Sequence, residues 1–187
     1  AIMNEKIAVA RVVPFSESRP EPVEGALVLV DTSASRALDL EAGAKLLQGV
    51  LAKLPGDTRL TVHAFDEDTA PIFDGEARAY GDAETQAIVS RRALGASNLE
   101  LALTRAKTLV GGSKAKKRVI LVTDGVTTVG ETDSQKLAAT VESLTGAGVE
   151  RLDAIAVGSV RDDAFLRRIT GKTLPKSGVV LAASRGP

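Results

Sequence analysis

The chain has 187 residues, enough for one domain with a sizeable core. Its 24 basic and 24 acidic residues cancel, and its aromatic residues are only four Phe and one Tyr, so nucleic acid is a weak candidate partner. Cysteine is absent, which excludes disulfides, thiolate metal sites and thiol nucleophiles, and no apolar stretch approaches the roughly 20 residues that cross a bilayer, so this segment is expected to be soluble, without membrane insertion.

The first 22 residues are predicted to precede the main domain. Residues 6–13 are mostly apolar and are predicted to form a strand, which Pro14 and the proline-rich run 16–22 separate from the following sequence. We therefore expect an N-terminal strand and Pro-rich linker over residues 1–22 and a single domain over residues 23–187.

Apolar strands alternate with amphipathic helices along residues 23–187. The uninterrupted apolar run 26–30 is typical of a central parallel strand that helices cover on both faces. A short turn over residues 66–68 makes the third strand antiparallel, because a parallel crossover needs a longer connection. The pattern predicts an α/β fold: a doubly wound, mostly parallel six-stranded sheet with one antiparallel edge strand and helices on both faces. The strands are predicted over 26–30, 60–65, 70–73, 119–123, 152–157 and 179–182, and the helices over 40–54, 82–93, 99–110, 137–144 and 162–169.

Two of the predicted strands end in an aspartate. Asp31 follows the first strand and Asp124 follows the strand over 119–123. Because open α/β sheets bind their ligands at the carboxyl ends of the strands, these two acids are candidate site residues. His63 lies within a predicted strand and is expected to be structural, and the acidic residues 66–68 are expected to form a turn instead of a second metal site.

Three motifs, in this order, resemble those of the von Willebrand factor A family. They are Asp-Thr-Ser-Ala-Ser over 31–35, Ser97 within residues 95–99, and Thr-Asp-Gly over 123–125. These are the three parts of the family's metal-ion-dependent adhesion site. The resemblance covers residues 23–183 and implies the strand order 3-2-1-4-5-6, which places the strands of Asp31 and Asp124 side by side.

A narrower resemblance concerns the residues before the domain. The sequence over 9–14 and the short linker are similar to the lead-in of proteins that join a vault/inter-alpha-trypsin (VIT) domain to a von Willebrand factor A domain. This resemblance implies that the segment is part of a larger multidomain chain.

The family resemblance implies a metal site built from oxygen ligands. The hydroxyls of Ser33, Ser35 and Ser97 would contact the ion, and Asp31 and Asp124 would bind it largely through water. Oxygen ligands without histidine or sulfur suit Mg²⁺ or Mn²⁺. Because the direct ligands are neutral, the remaining coordination position would attract an Asp or Glu of a partner. The expected function is therefore a metal-dependent, adhesion-type protein–protein interaction.

Two positions depart from the family pattern. Ser97 stands where threonine is usual, so its hydroxyl is freer to rotate. Arg36 stands where a methionine often follows the first motif. An arginine here is expected either to narrow access to the metal or to attract an acidic partner.

The residues also leave other interpretations open. Taken alone, Ser97 fits a helix N-cap, although Asn98 can serve instead, and the two aspartate motifs favour Ser97 as a metal ligand. The main alternative function is a structural module with a vacant metal site that packs on a neighbouring domain. A metal-dependent phosphohydrolase is disfavoured, because Ser33 occupies the position where that pattern has a second aspartate. A serine hydrolase is disfavoured separately, because residues 95–99 lack the second glycine of the nucleophile elbow and His63 is the single histidine available as a base. We expect no enzymatic activity, and the sequence indicates no compartment.

Overall fold

The computed structural model describes residues 22–111 and 117–182. These residues form six strands and five α-helices, in the order β1 Gly25–Asp31, α1 Leu40–Leu51, β2 Arg59–Phe65, β3 Thr69–Glu76, α2 Asp82–Val89, α3 Leu99–Val110, β4 Arg118–Thr123, α4 Ser134–Glu142, β5 Arg151–Ala156, α5 Asp163–Thr170 and β6 Val180–Ala182. Short 3-10 turns occupy Ala34–Arg36, Ala77–Ala79 and Ser143–Ala147. Every helix in the described ranges is too short or too polar to cross a membrane.

The strands form one sheet in the order β3-β2-β1-β4-β5-β6. All neighbouring strands are parallel except β2 and β3, which the tight turn at Asp66 and Asp68 joins into an antiparallel hairpin. This arrangement confirms the predicted α/β fold, the antiparallel edge strand and the strand order that the family resemblance implied. Strands β1 and β4 are neighbours, and Asp31 and Asp124 therefore meet at one edge of the sheet.

Side chains of β1 alternate between two cores. Leu27 and Leu29 pack with α3, α4 and α5 on one face of the sheet. Val28 and Val30 pack with α1 and α2 on the other face. Because helices cover both faces, each residue of the run 26–30 is buried, which explains why polar residues do not alternate with apolar ones.

The predicted helix over 82–93 ends early. Helix α2 stops at Val89, and Arg92 and Ala93 have φ angles of 66° and 46°, left-handed conformations that cannot continue a right-handed helix. The strand and linker predicted before Pro22 lie outside the described residues, and the domain boundary at residue 23 stays a prediction.

Candidate metal centre

Asp31 and Thr123 lie side by side at the carboxyl ends of β1 and β4. The register pairs Val30 with Val122, so the next residues of the two strands are neighbours. Side chains alternate along a strand, and both residues therefore point to the face that α3 covers. Thr123 Oγ1 donates a hydrogen bond of 2.7 Å to Asp31 Oδ2.

Ser97 reaches the same carboxylate from the loop before α3. Its Oγ donates to Asp31 Oδ2 over 3.0 Å, and its backbone N–H donates to Thr128 Oγ1 over 2.9 Å. The N-cap of α3 is Asn98, whose side chain accepts from the N–H of Leu101 at 3.0 Å. Ser97 is therefore not the helix cap. A hydroxyl that donates its proton to a carboxylate still has lone pairs with which to bind a cation.

The loop after β1 contributes Ser33 and Ser35. The Ser33 N–H donates to Asp31 Oδ1 over 2.9 Å, and the hydroxyl oxygens of Ser33 and Ser35 are 3.1 Å apart. Ser33 is buried and Ser35 is exposed, so this pair of hydroxyls leads from the interior to the surface. The Ala34 N–H donates to the Gly95 carbonyl over 2.9 Å, which joins this loop to the loop before α3.

Asp124 lies immediately after β4, and its carboxylate has internal partners. Oδ1 accepts a hydrogen bond of 2.8 Å from the Val126 N–H, and Oδ2 lies 3.7 Å from Arg36 Nη1. The chain turns at Gly125, which has a φ of 80°. A Cβ at this position would lie 2.9 Å from Leu166 Cγ, so both the turn and the packing require glycine here.

Both carboxylates are almost completely buried. Asp31 is 1% exposed and Asp124 is 2% exposed. Burial raises the pKa of the Asp31 carboxyl above its usual range, hydrogen bonds from Ser33 and Thr123 oppose this rise, and the charge of Asp124 adds to it. A cation between two such acids would relieve their repulsion and favour the ionised form of Asp31.

The five predicted ligands do not all stand in one hydrogen-bonded group. Asp31, Ser33, Ser35 and Ser97 are linked to one another by hydrogen bonds. Within the described residues, Asp124 is close enough to affect the pKa of Asp31 but shares no hydrogen bond with this group. The same ranges contain no cluster of three or more His, Cys, Asp and Glu side chains that could hold a metal ion.

Arg36 points into the protein. Its side chain is 1% exposed, and Nη1 donates to the Val157 carbonyl over 2.9 Å as well as facing Asp124. Gly158 leaves room for the guanidinium, since a Cβ there would overlap Nη1. The predicted attraction of an outside acid by Arg36 is therefore wrong, because a partner cannot reach the buried charge.

Sequence analysis gave no role to Thr123. The available signal was a hydroxyl residue at the end of an apolar strand, next to Asp124. Whether this hydroxyl contacts Asp31 depends on the register between β4 and β1. Thr32 lies within the first motif but was likewise given no role. Its Oγ1 donates to the Phe65 carbonyl over 3.1 Å and accepts from Arg91 Nε over 3.0 Å. Arg91 in turn forms an ion pair with Asp66 in the predicted turn, which holds the ends of β1 and β2 together.

The fold is similar to that of several solved proteins. The conserved hypothetical protein BatB from Bacteroides thetaiotaomicron has a TM-score of 0.64 and 12% identity, over 87% of this chain and 91% of that chain. A von Willebrand factor type A protein from Catenulispora acidiphila has a TM-score of 0.67 and 18% identity, over 88% of this chain and 39% of that chain. The pilus adhesin SpaC from Lactobacillus rhamnosus GG has a TM-score of 0.60 and 16% identity, over 89% of this chain and 28% of that chain. At these identities the likeness shows the fold alone.

Sequence comparison identifies the family of the chain through a family model and not through a single relative. No curated protein sequence matches the chain. A family model described as the von Willebrand factor type A domain matches residues 26–126, more than half of the chain, and this range includes all three motifs at the site. The chain therefore belongs to the von Willebrand factor type A family.

Proposed function

We propose that this domain binds Mg²⁺ or Mn²⁺ through the hydroxyls of Ser33, Ser35 and Ser97, with Asp31 and Asp124 as outer carboxylates. The observation that supports the proposal best is the 3.0 Å hydrogen bond from Ser97 Oγ to Asp31 Oδ2, which brings the second motif onto the first. Ser33 is held by the same carboxylate, so one buried acid organises two of the three proposed hydroxyl ligands.

The side chains at this site fit a hard cation. All five candidate ligands offer oxygen, the donor that Mg²⁺ and Mn²⁺ prefer. The two oxygens of Asp124 already have the Val126 N–H and Arg36 as partners, which suits an outer position better than direct ligation. A bound divalent ion would offer an electrophilic position to an oxygen anion.

We further propose that this anion is an Asp or Glu side chain of a protein partner. The family often mediates protein–protein interactions and is generally not enzymatic. Exposure of Ser35 leaves the proposed site open to an outside carboxylate on one side. The domain would then act in metal-dependent protein binding of the adhesion type.

One observation favours the alternative of a structural module that uses no metal. Arg36 already places a positive charge against Asp124, so part of the negative charge of the site is compensated within the chain. A metal titration separates the two functions, because only the first predicts saturable binding of Mg²⁺ or Mn²⁺ by the folded domain.

The metal is tested by calorimetric titration with Mn²⁺ and by thermal melts with and without EDTA. A ligand that binds only the folded state raises its melting temperature by mass action. We expect Mn²⁺ to bind and to raise the melting temperature. Ser35→Ala should reduce both effects because it removes one proposed ligand, and the domain should still fold because this residue is exposed. Ser143→Ala, an exposed serine after α4, is the matched control. Identical melts in Mn²⁺ and in EDTA would contradict metal binding.

The partner is tested with a displayed library of random peptides. The immobilised domain is loaded with Mn²⁺, and peptides that EDTA releases are sequenced. We expect these peptides to be enriched in Asp or Glu at one fixed position and to lose binding when that acid is changed to its amide. Peptides released by EDTA with no enrichment in acids would contradict an acidic partner, even if the metal itself binds.

A further inference from the structure

Arg36 is the largest fully buried side chain among the described residues. A buried guanidinium is expensive unless a negative charge and hydrogen-bond acceptors surround it. This arginine follows directly after the Ser-Ala-Ser segment of the first motif, and its backbone N–H donates to the Ser33 carbonyl over 2.9 Å. Its position is thus coupled to the loop that carries two of the proposed ligands.

The partners of the guanidinium are one carboxylate and one carbonyl. Nη1 lies 3.7 Å from Asp124 Oδ2 and donates to the Val157 carbonyl over 2.9 Å. Within residues 22–111 and 117–182, Nη2 is buried without a hydrogen-bond partner. The arginine is therefore incompletely satisfied, and its main electrostatic partner is a single acid at the proposed metal site.

The surrounding backbone leaves space for this side chain. Gly158 has a φ of 106°, and a Cβ at that position would overlap Nη1. On the other side, a Cβ at Gly43 of α1 would lie 3.7 Å from Nη2. Glycine at 158 therefore leaves the space in which the guanidinium lies, 3.7 Å from Asp124 Oδ2. Because both groups are buried, solvent ions screen the attraction between their charges only weakly.

We infer that Arg36 is a positioning residue that acts as a fixed internal cation: it holds Asp124 in place without metal and lowers the affinity of the site for a divalent cation. This inference rests on the proposed metal binding. Attraction between the guanidinium and Asp124 orients that carboxylate in the metal-free domain. Repulsion between the guanidinium and a divalent ion beside the same carboxylate opposes binding, because like charges in a buried site are weakly screened.

Three variants separate charge from shape. Arg36→Met keeps an unbranched side chain and removes the charge, Arg36→Gln removes the charge but keeps a donor for the Val157 carbonyl, and Arg36→Lys keeps the charge. Arg59→Met is the control for net charge, since Arg59 pairs with Asp74 at the other end of β2 and is 53% exposed.

Affinity for Mn²⁺ is measured by calorimetry, and melting temperatures are measured in EDTA. We expect the Met and Gln variants to bind Mn²⁺ about tenfold more tightly or better, with melting temperatures in EDTA below that of the unchanged protein. The Lys variant and Arg59→Met should keep the original affinity. Neutral variants with unchanged or weaker affinity would overturn the inference, even if their melting temperatures fall, because that result leaves Arg36 a purely structural role.

The outcomes also separate this inference from the proposed function. If the unchanged protein binds no Mn²⁺ while the neutral variants do, Arg36 suppresses binding as inferred and the proposed function fails for the native chain. If none of the proteins binds, both fail. If neither neutral variant folds in EDTA, Mn²⁺ should restore folding by replacing the missing positive charge, and failure to do so overturns the inference.

Discussion

The hydroxyl of Ser97 donates a hydrogen bond of 3.0 Å to Asp31 Oδ2, although 66 positions separate the two residues in the chain. The contact exists because β1 ends in Asp31 and α3, which follows Ser97, packs on the face of the sheet to which the Asp31 side chain points. It is present only in the folded state, and metal binding at this site should therefore be linked to folding.

Ser97 should prove to be a metal ligand that threonine can replace but alanine cannot. Ser97→Ala removes one proposed ligand, and we expect the affinity for Mn²⁺ to fall by about tenfold or more. Ser97→Thr keeps the hydroxyl on a side chain with fewer rotamers, so the affinity should hold or rise. Calorimetry of the three proteins is the measurement, and equal affinities would show that Ser97 is not a ligand.

Asn98 should affect stability without affecting the metal. Its side chain accepts from the Leu101 N–H at the start of α3, so Asn98→Ala should lower the free energy of unfolding by about 1 kcal/mol, the usual value of an N-cap. Urea unfolding in EDTA measures this loss, and the Mn²⁺ affinity of the folded variant should stay unchanged. A fall in affinity as large as that of Ser97→Ala would contradict the division of roles between the two neighbours.

Thr123 should stabilise the domain through its contact with Asp31. Thr123→Val keeps the shape but removes the 2.7 Å hydrogen bond to Asp31 and the 3.1 Å hydrogen bond that Thr123 Oγ1 accepts from the Gly125 N–H. We therefore expect a loss of about 2 kcal/mol in urea unfolding. Thr61→Val is the matched control, because the buried Thr61 hydroxyl has no hydrogen-bond partner within the described residues. That substitution should be neutral or slightly stabilising. Equal losses for both variants would mean that the two hydrogen bonds of the Thr123 hydroxyl contribute nothing.

The fold was predictable because its signals are local. The apolar run 26–30 and the stripe from Leu40 to Leu51 are periodic patterns of burial, and the structure places them in β1 and α1. The end of α2 was missed because the two left-handed residues, Arg92 and Ala93, are not glycine or asparagine and give no sign of a helix stop.

The site was predictable only in part. The ends of two apolar strands pointed to Asp31 and Asp124, and the resemblance to a known family added Ser97. The placement of the two aspartates at one edge of the sheet follows from the strand order. The contact of Thr123 depends on the register between β1 and β4, which periodicity does not give. The burial of Arg36 depends on space left by Gly158, more than 120 positions away, and an arginine beside an acidic motif is ordinarily expected at the surface.

The raised pKa of Asp31 predicts how stability depends on pH and metal. Burial, with a smaller contribution from Asp124, places the pKa of this carboxyl in the folded protein above its value in the unfolded chain, which is close to 3.8. The folded state then binds more protons in the window between the two values. The contribution of Asp31 to stability is therefore greatest below the unfolded value and is lost as the pH rises through the folded value.

Asp31→Asn isolates this contribution, since the amide has no charge to bury. In EDTA, the free energy of unfolding of the unchanged protein, relative to that of Asp31→Asn, should fall as the pH is raised from about 4 to about 7. Mn²⁺ should reverse the trend in the unchanged protein by favouring the ionised carboxyl, and should have no such effect on the variant. Urea unfolding across this range is the measurement. Parallel profiles for the two proteins in EDTA would show that the carboxyl has the same pKa in both states, and parallel profiles in Mn²⁺ as well would remove Asp31 from the proposed metal centre.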